Sequence, residues 1–114
     1  MMRSLFDTNK PRIYAPDGWN IIKVKHNGNT FYKVFGSFGP NNWRLSSGAD
    51  DTSTLIESHG VIEWEQCSGS TYQMVKRNEG LLSDYARIVL FEIIDNPPVV
   101  GAELEVISYT ELLS

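Results

Sequence analysis

Cys67-Ser68-Gly69-Ser70 is the stretch of this 114-residue chain where a thiol and hydroxyls crowd together, and His59 stands upstream as a base of suitable type. Nucleophilic catalysis needs such a group beside a base that a third residue orients. Neither a G-x-S-x-G elbow nor a Cys-His signature surrounds these residues, so Ser46, Ser47, Ser68 and Ser70 read as turn residues and no catalytic residue is assigned. Ser68-Gly69-Ser70-Thr71 could also offer backbone N–H groups to an anion. It lacks the Lys and the following helix of a Walker loop, and a hairpin turn needs these residues for conformation alone. A small enzyme or ligand-binding protein centred on the Cys67 to Ser70 loop is therefore a third reading, behind the two below.

Metal binding requires clustered ligands of suitable type and spacing. The candidates are Cys67, His26, His59 and scattered carboxylates, and none forms a motif. Asp50-Asp51 with Glu57 matches no EF-hand loop, and a helix start explains them as well. No metal and no cofactor is expected.

The stronger signal is for a partner. Arg12, Tyr14, Trp19, Lys23, Lys25, Phe31, Tyr32, Lys33, Phe38, Trp43 and Arg44 interleave cations with rings in the first half of the chain. Bases stack on exposed rings while Lys and Arg track phosphates, which makes a single-stranded nucleic-acid binder one reading. A net charge of −4 works against it, and no RNP or cold-shock motif is present. A protein partner uses the same Trp, Tyr and Arg as anchors. The expected contact residues are Trp19, Lys23, Tyr32, Trp43 and Arg44, with Trp64 and Tyr72 as a second choice.

The element that must position most of them is Trp19 to Phe38. Two runs rich in Ile, Val, Phe and Tyr flank Asn27-Gly28, which supplies the two positive φ angles of a type I′ turn. The hairpin sets Val24 opposite Phe31, Lys23 opposite Tyr32, Ile22 opposite Lys33 and Ile21 opposite Val34. Ile22, Val24, Phe31 and Phe35 share one face, which reads as core. Trp19, Ile21, Tyr32 and Val34 share the other with Lys23 and Lys25. That face is either half-covered structure, with Lys stems lying over rings, or a platform for a partner, and structure is the better reading.

Residues 1–18 carry Pro11 and Pro16 without a sustained period and read as an irregular arm, pinned by Ile13 and Tyr14. Trp43 to Gly48 is a short third strand. Asp50 to Ser58 begins a helical turn or forms a loop that drops Leu55 and Ile56 into the core. VIEWEQ and TYQMVK form a second hairpin around Cys67 to Ser70. Ser83 to Asp95 has both a helical stripe and the β-branched density of a strand; Ser83 as N-cap and Asn96-Pro97-Pro98 as a stop favour helix. Val99 to Leu113 is a strand that closes the sheet. The expected fold is α+β: about five or six mostly antiparallel strands with one principal helix packed on the sheet, a single compact domain over 19–114.

Composition sets the frame. With 41% hydrophobic and 21% charged residues, and no apolar run near the roughly 20 residues that span a bilayer, the chain is expected to be a soluble globular domain. Cys67 alone makes no internal disulfide and the N-terminus lacks the apolar core of a signal peptide, so a cytoplasmic setting is expected. Residues 1–44 hold seven basic groups against two acidic ones, whereas residues 45–114 hold three against twelve. The halves either neutralise each other by packing or face different partners. An open sheet leaves unpaired edges, so self-association by edge pairing is compatible with every reading.

Trp43-Arg44-Leu45-Ser46-Ser47-Gly48, followed by Trp64-Glu65-Gln66-Cys67-Ser68-Gly69-Ser70-Thr71-Tyr72, resembles small uncharacterised proteins of tailed bacteriophages that pair a WR-x-SSG segment with a later SGS-x-Y segment. The resemblance covers about a quarter of the chain and transfers no activity to any residue. It implies a virus-encoded accessory protein in an infected bacterial cytoplasm, where small acidic domains often inhibit host enzymes or defence systems by occluding a surface. The leading expectation is accordingly a non-enzymatic protein-binding module, with a host protein as partner.

Overall fold

The computed structural model describes residues 12–114. Most of the expected arm over residues 1–18 lies outside them; its described end contains a two-residue strand, β1 (Ile13–Tyr14). The first hairpin is β2 (Gly18–His26) and β3 (Asn29–Phe38). Asn27 and Gly28 adopt φ of 52° and 79°, and each expected cross-strand pair is in register. β4 (Asn42–Leu45) pairs with β3. Then follow β5 (Leu55–Ser58), β6 (Val61–Glu65) and β7 (Thr71–Val75), and α1 (Asp84–Asp95). β8 (Glu103–Ile107) and α2 (Tyr109–Leu113) close the chain.

The strands build two sheets of four, not one. One runs β4-β3-β2-β8 and the other β1-β7-β6-β5. The expectation of one sheet under one helix is therefore corrected to a sheet-rich fold of two packed sheets with α1 on the outside. The cause is the hairpin β2–β3, which is apolar on both faces and so requires a layer on each side. Trp19, Ile21 and Val34 pack with Ile62, Trp64, Tyr72 and Met74 of the second sheet. Ile22, Val24 and Phe35 pack with Leu82, Ala86 and Leu90 of the helical layer.

Two further segments differ from expectation. Asp50 to Ser58 contributes strand β5 instead of a helical turn or core-filling loop: His59 and Gly60, at φ 53° and 78°, form a second tight turn that folds it onto β6. Leu55 is only half-buried and Ile56 faces solvent. Val99 to Leu113 is strand only over Glu103–Ile107. Ser108 then caps α2 with a reciprocal capping box, its hydroxyl accepting from Glu111 N at 3.0 Å.

α1 begins where the sequence placed it. Ser83 Oγ accepts from Ala86 N at 3.1 Å, while the Ser83 N–H donates to the buried Ser37 Oγ at 3.1 Å, which ties the cap to β3. The segment before it lies against the start of β2, with Gly80 N donating to Trp19 O at 2.7 Å. A buried polar bridge joins the sheets. Ser46 Oγ accepts from Val34 N at 2.8 Å and donates to Gln66 Oε1 at 2.6 Å, so no polar atom of that hydroxyl is stranded.

Candidate functional site

The Cys67 loop and His59 sit at opposite ends of β6, since His59 is in the β5–β6 turn and Cys67 follows Glu65. Eight residues of mostly extended chain hold them roughly 20 Å or more apart, and they line different cavities. The backbone donors of the loop are consumed internally. Cys67 N donates to Gly48 O, Ser68 N to Ser47 Oγ, Gly69 N to Gln66 O and Ser70 N to Ser68 Oγ. A nest for an anion needs such N–H groups free, so the loop is a structural turn, with Ser47 Oγ and Ser68 Oγ bonded at 2.9 Å. Ser58 Oγ lies 2.8 Å from His59 Nδ1 in the exposed turn, without a carboxylate bonded to that ring among the described residues.

The acidic residues are dispersed as well. Asp51 closes a local turn by accepting from Ser53 N at 2.9 Å, and the Ser53 hydroxyl and N–H hold its carboxyl below the usual range. Glu57 takes Lys76 Nζ at 3.1 Å and the Tyr109 hydroxyl at 2.9 Å, and these lower its pKa. Among the described residues, no three His, Cys, Asp or Glu side chains are placed to hold a metal ion.

The seven expected contact residues separate into three groups. Trp19, Trp64 and Tyr72 are core residues, a correction to their assignment as contacts. Trp19 is enclosed between the sheets, where its Nε1 donates to Val75 O at 2.8 Å and its ring meets Tyr109 edge-on at 6.4 Å. Trp64 donates to Asp51 O at 3.3 Å, and Tyr72 packs on Tyr14. The two indole N–H groups are satisfied inside the protein, as buried Trp requires. Tyr32 and Lys23 are half-buried, Tyr32 against Trp64. Trp43 and Arg44, on the sheet-edge strand β4, remain at the surface, though each has an internal partner. Trp43 stacks on Phe35 at 5.6 Å, and the Arg44 guanidinium covers the Tyr14 ring at 4.2 Å.

Part of the charge asymmetry meets within one sheet. Lys23 stands opposite Glu105 and Lys25 opposite Glu103 where β2 meets β8. Lys33 Nζ donates to Ser46 O and Ser47 O. Basic strand thus lies against acidic strand, the arrangement that opposite-charge cross-strand pairs favour.

The surface that sequence reasoning missed is the outer side of α1. Ala86 and Leu90 are buried against the sheet, yet Tyr85, Ile88 and Phe91 are 47%, 58% and 58% exposed, and Leu81 just before the helix is 61% exposed. The signal was present: Ile88 and Phe91 fall off the stripe Leu82, Tyr85, Ala86, Val89, Leu90 and Ile93, which makes the helix apolar on two sides. A surface helix ordinarily turns polar groups to water there.

No family model, no curated protein and no solved structure matches this chain.

Proposed function

We propose that this protein is a protein-binding module that docks its partner on the outer face of α1. The observation that carries the reading is the exposure of Tyr85, Ile88 and Phe91 on a helix whose other side is already packed, with Leu81 exposed just before it. Each is about half exposed or more, and large apolar side chains gathered on one side of a monomer's surface are often functional. Two aromatic rings among them suit a binding hot spot. Trp43 and Arg44 form a smaller second surface at the edge of the sheet. In the virus-encoded setting that the phage resemblance implies, the partner is a host protein and the module acts by occluding its surface.

The nucleic-acid reading has less to stand on. Trp19, Trp64 and Tyr72 are enclosed, and Lys23 and Lys25 face Glu105 and Glu103. An affinity capture from host lysate, nuclease-treated, separates the two. Stoichiometric capture of one protein by the wild type, lost in Ile88→Asp and kept in Trp43→Ala, supports docking on α1. Equal capture by Ile88→Asp, or recovery of nucleic acid alone that disappears as salt rises, overturns it.

A further inference from the structure

We infer that the outer face of α1 takes an amphipathic helical segment of another protein whose apolar side is flanked by lysines or arginines, an inference that rests on the docking role proposed above. At 3.6 residues per turn, Asp84, Ile88 and Asp95 lie on the outward side of the helix, opposite Ala86 and Leu90, with Tyr85 and Phe91 to either side of Ile88. Asp84 and Asp95 bracket the apolar centre about 16 Å apart along the axis, and Glu92 stands one turn beyond Ile88.

The helix carries three carboxylates and one guanidinium, and that guanidinium is engaged. Arg87 lies 3.9 Å from Asp84 and donates to Leu82 O at 3.4 Å. Among the described residues Glu92 and Asp95 form no ion pair. An apolar surface whose rim carries three carboxylates against one guanidinium selects a basic rim on its occupant, because rim charges set partner choice and encounter rate.

A second copy of this chain fits less well. Pairing two such faces would set Asp84, Glu92 and Asp95 against the same carboxylates. A basic amphipathic helix in the groove-and-anchor manner meets both the rings and the carboxylates.

The probe is a synthetic 14-residue Leu/Lys amphipathic peptide, titrated into the 15N-labelled full chain and compared with its Leu/Glu counterpart at low and moderate salt. Expected are amide shifts confined to α1 and Leu81, binding at least about tenfold weaker in Ile88→Asp, and a salt dependence that diminishes in the Glu92→Gln, Asp95→Asn double variant. The Leu/Glu peptide should bind at least about tenfold more weakly. Equal binding of the two peptides, or shifts elsewhere on the surface, overturns the inference. So does a concentration-dependent dimer abolished by Ile88→Asp, which makes the occupant a second copy. Loss of lysate capture in Ile88→Asp without Leu/Lys binding refutes the partner chemistry and leaves the docking face standing; unchanged capture refutes the docking face itself.

Discussion

Replacing Trp19 by Phe tests whether the interior between the two sheets is the main source of cohesion. The indole is wholly enclosed, and its Nε1 on β2 donates to Val75 O on β7 at 2.8 Å, so one side chain joins the sheets by packing and by a hydrogen bond. Phe keeps an aromatic ring but lacks the donor, leaving a partly buried carbonyl unpaired at a cost of about 1 kcal/mol. Removing three ring atoms forfeits transfer energy and leaves a small void beside Tyr109, a further loss of about 1–2 kcal/mol. The sum, about 2–3 kcal/mol, is a large share of the roughly 5–15 kcal/mol by which a domain is stable. It corresponds to a Tm lower by roughly 10 °C. Urea unfolding followed by far-UV circular dichroism is the appropriate assay, because the substitution itself alters tryptophan fluorescence. Trp43→Phe is the control: that ring stacks on Phe35 at the sheet edge and is 37% exposed, so its loss should cost under about 1 kcal/mol. A Trp19→Phe variant within about 0.5 kcal/mol of wild type at unchanged m-value, or a Trp43→Phe variant that costs more, refutes the assignment of Trp19 as the link between sheets.

Two more outcomes follow from backbone packing and proton linkage. A Cβ at Gly18 would stand 1.7 Å from Leu81 O and 2.4 Å from Leu81 C, which are backbone atoms that cannot swing aside. Gly18→Ala should therefore cost about 3 kcal/mol or more by displacing the segment that leads into α1; a melting temperature equal to wild type would refute this close approach. Tyr109 has its phenol pushed up from 10.0 to about 12, by burial first and then by its hydrogen bond to Glu57. The folded pKa exceeds the unfolded one, so this contribution to stability is intact below pH 10 and is lost as pH rises toward 12. Absorbance titration near 295 nm should show late tyrosine ionisation that loses one tyrosine's amplitude in Tyr109→Phe, with buried Tyr72, also raised, still titrating late. An unchanged titration in the variant would remove Tyr109 from this role.

Local chemistry made several elements legible in the sequence. Asn27-Gly28 admits two positive φ angles cheaply, which determined the first hairpin and its register from Val24–Phe31 to Ile21–Val34. Ser83 supplied the N-cap and Asn96-Pro97-Pro98 the stop of α1. VIEWEQ and TYQMVK paired about the Ser-Gly turn. His59-Gly60 carried the same kind of signal for β5 and went unread, because His is a weaker turn former than Asn and the preceding Asp-Ser-Thr residues resemble a cap.

Tertiary structure alone decided the rest. A strand's alternation identifies a buried face only when the other face is polar, and both faces of β2 are apolar. Nothing within Trp19 to Phe38 shows that Trp19 and Ile21 meet a second sheet while Ile22 and Val24 meet a helix. That second sheet depends on parallel pairing between Ile13 and Thr71 at one edge and on β5 at the other, contacts between segments far apart in the chain. Whether an apolar residue is core or contact likewise depends on what is left to cover it. Trp19, Trp64 and Tyr72 gained a covering layer; Tyr85, Ile88 and Phe91 were equally apolar in sequence, and the finished fold left them facing water.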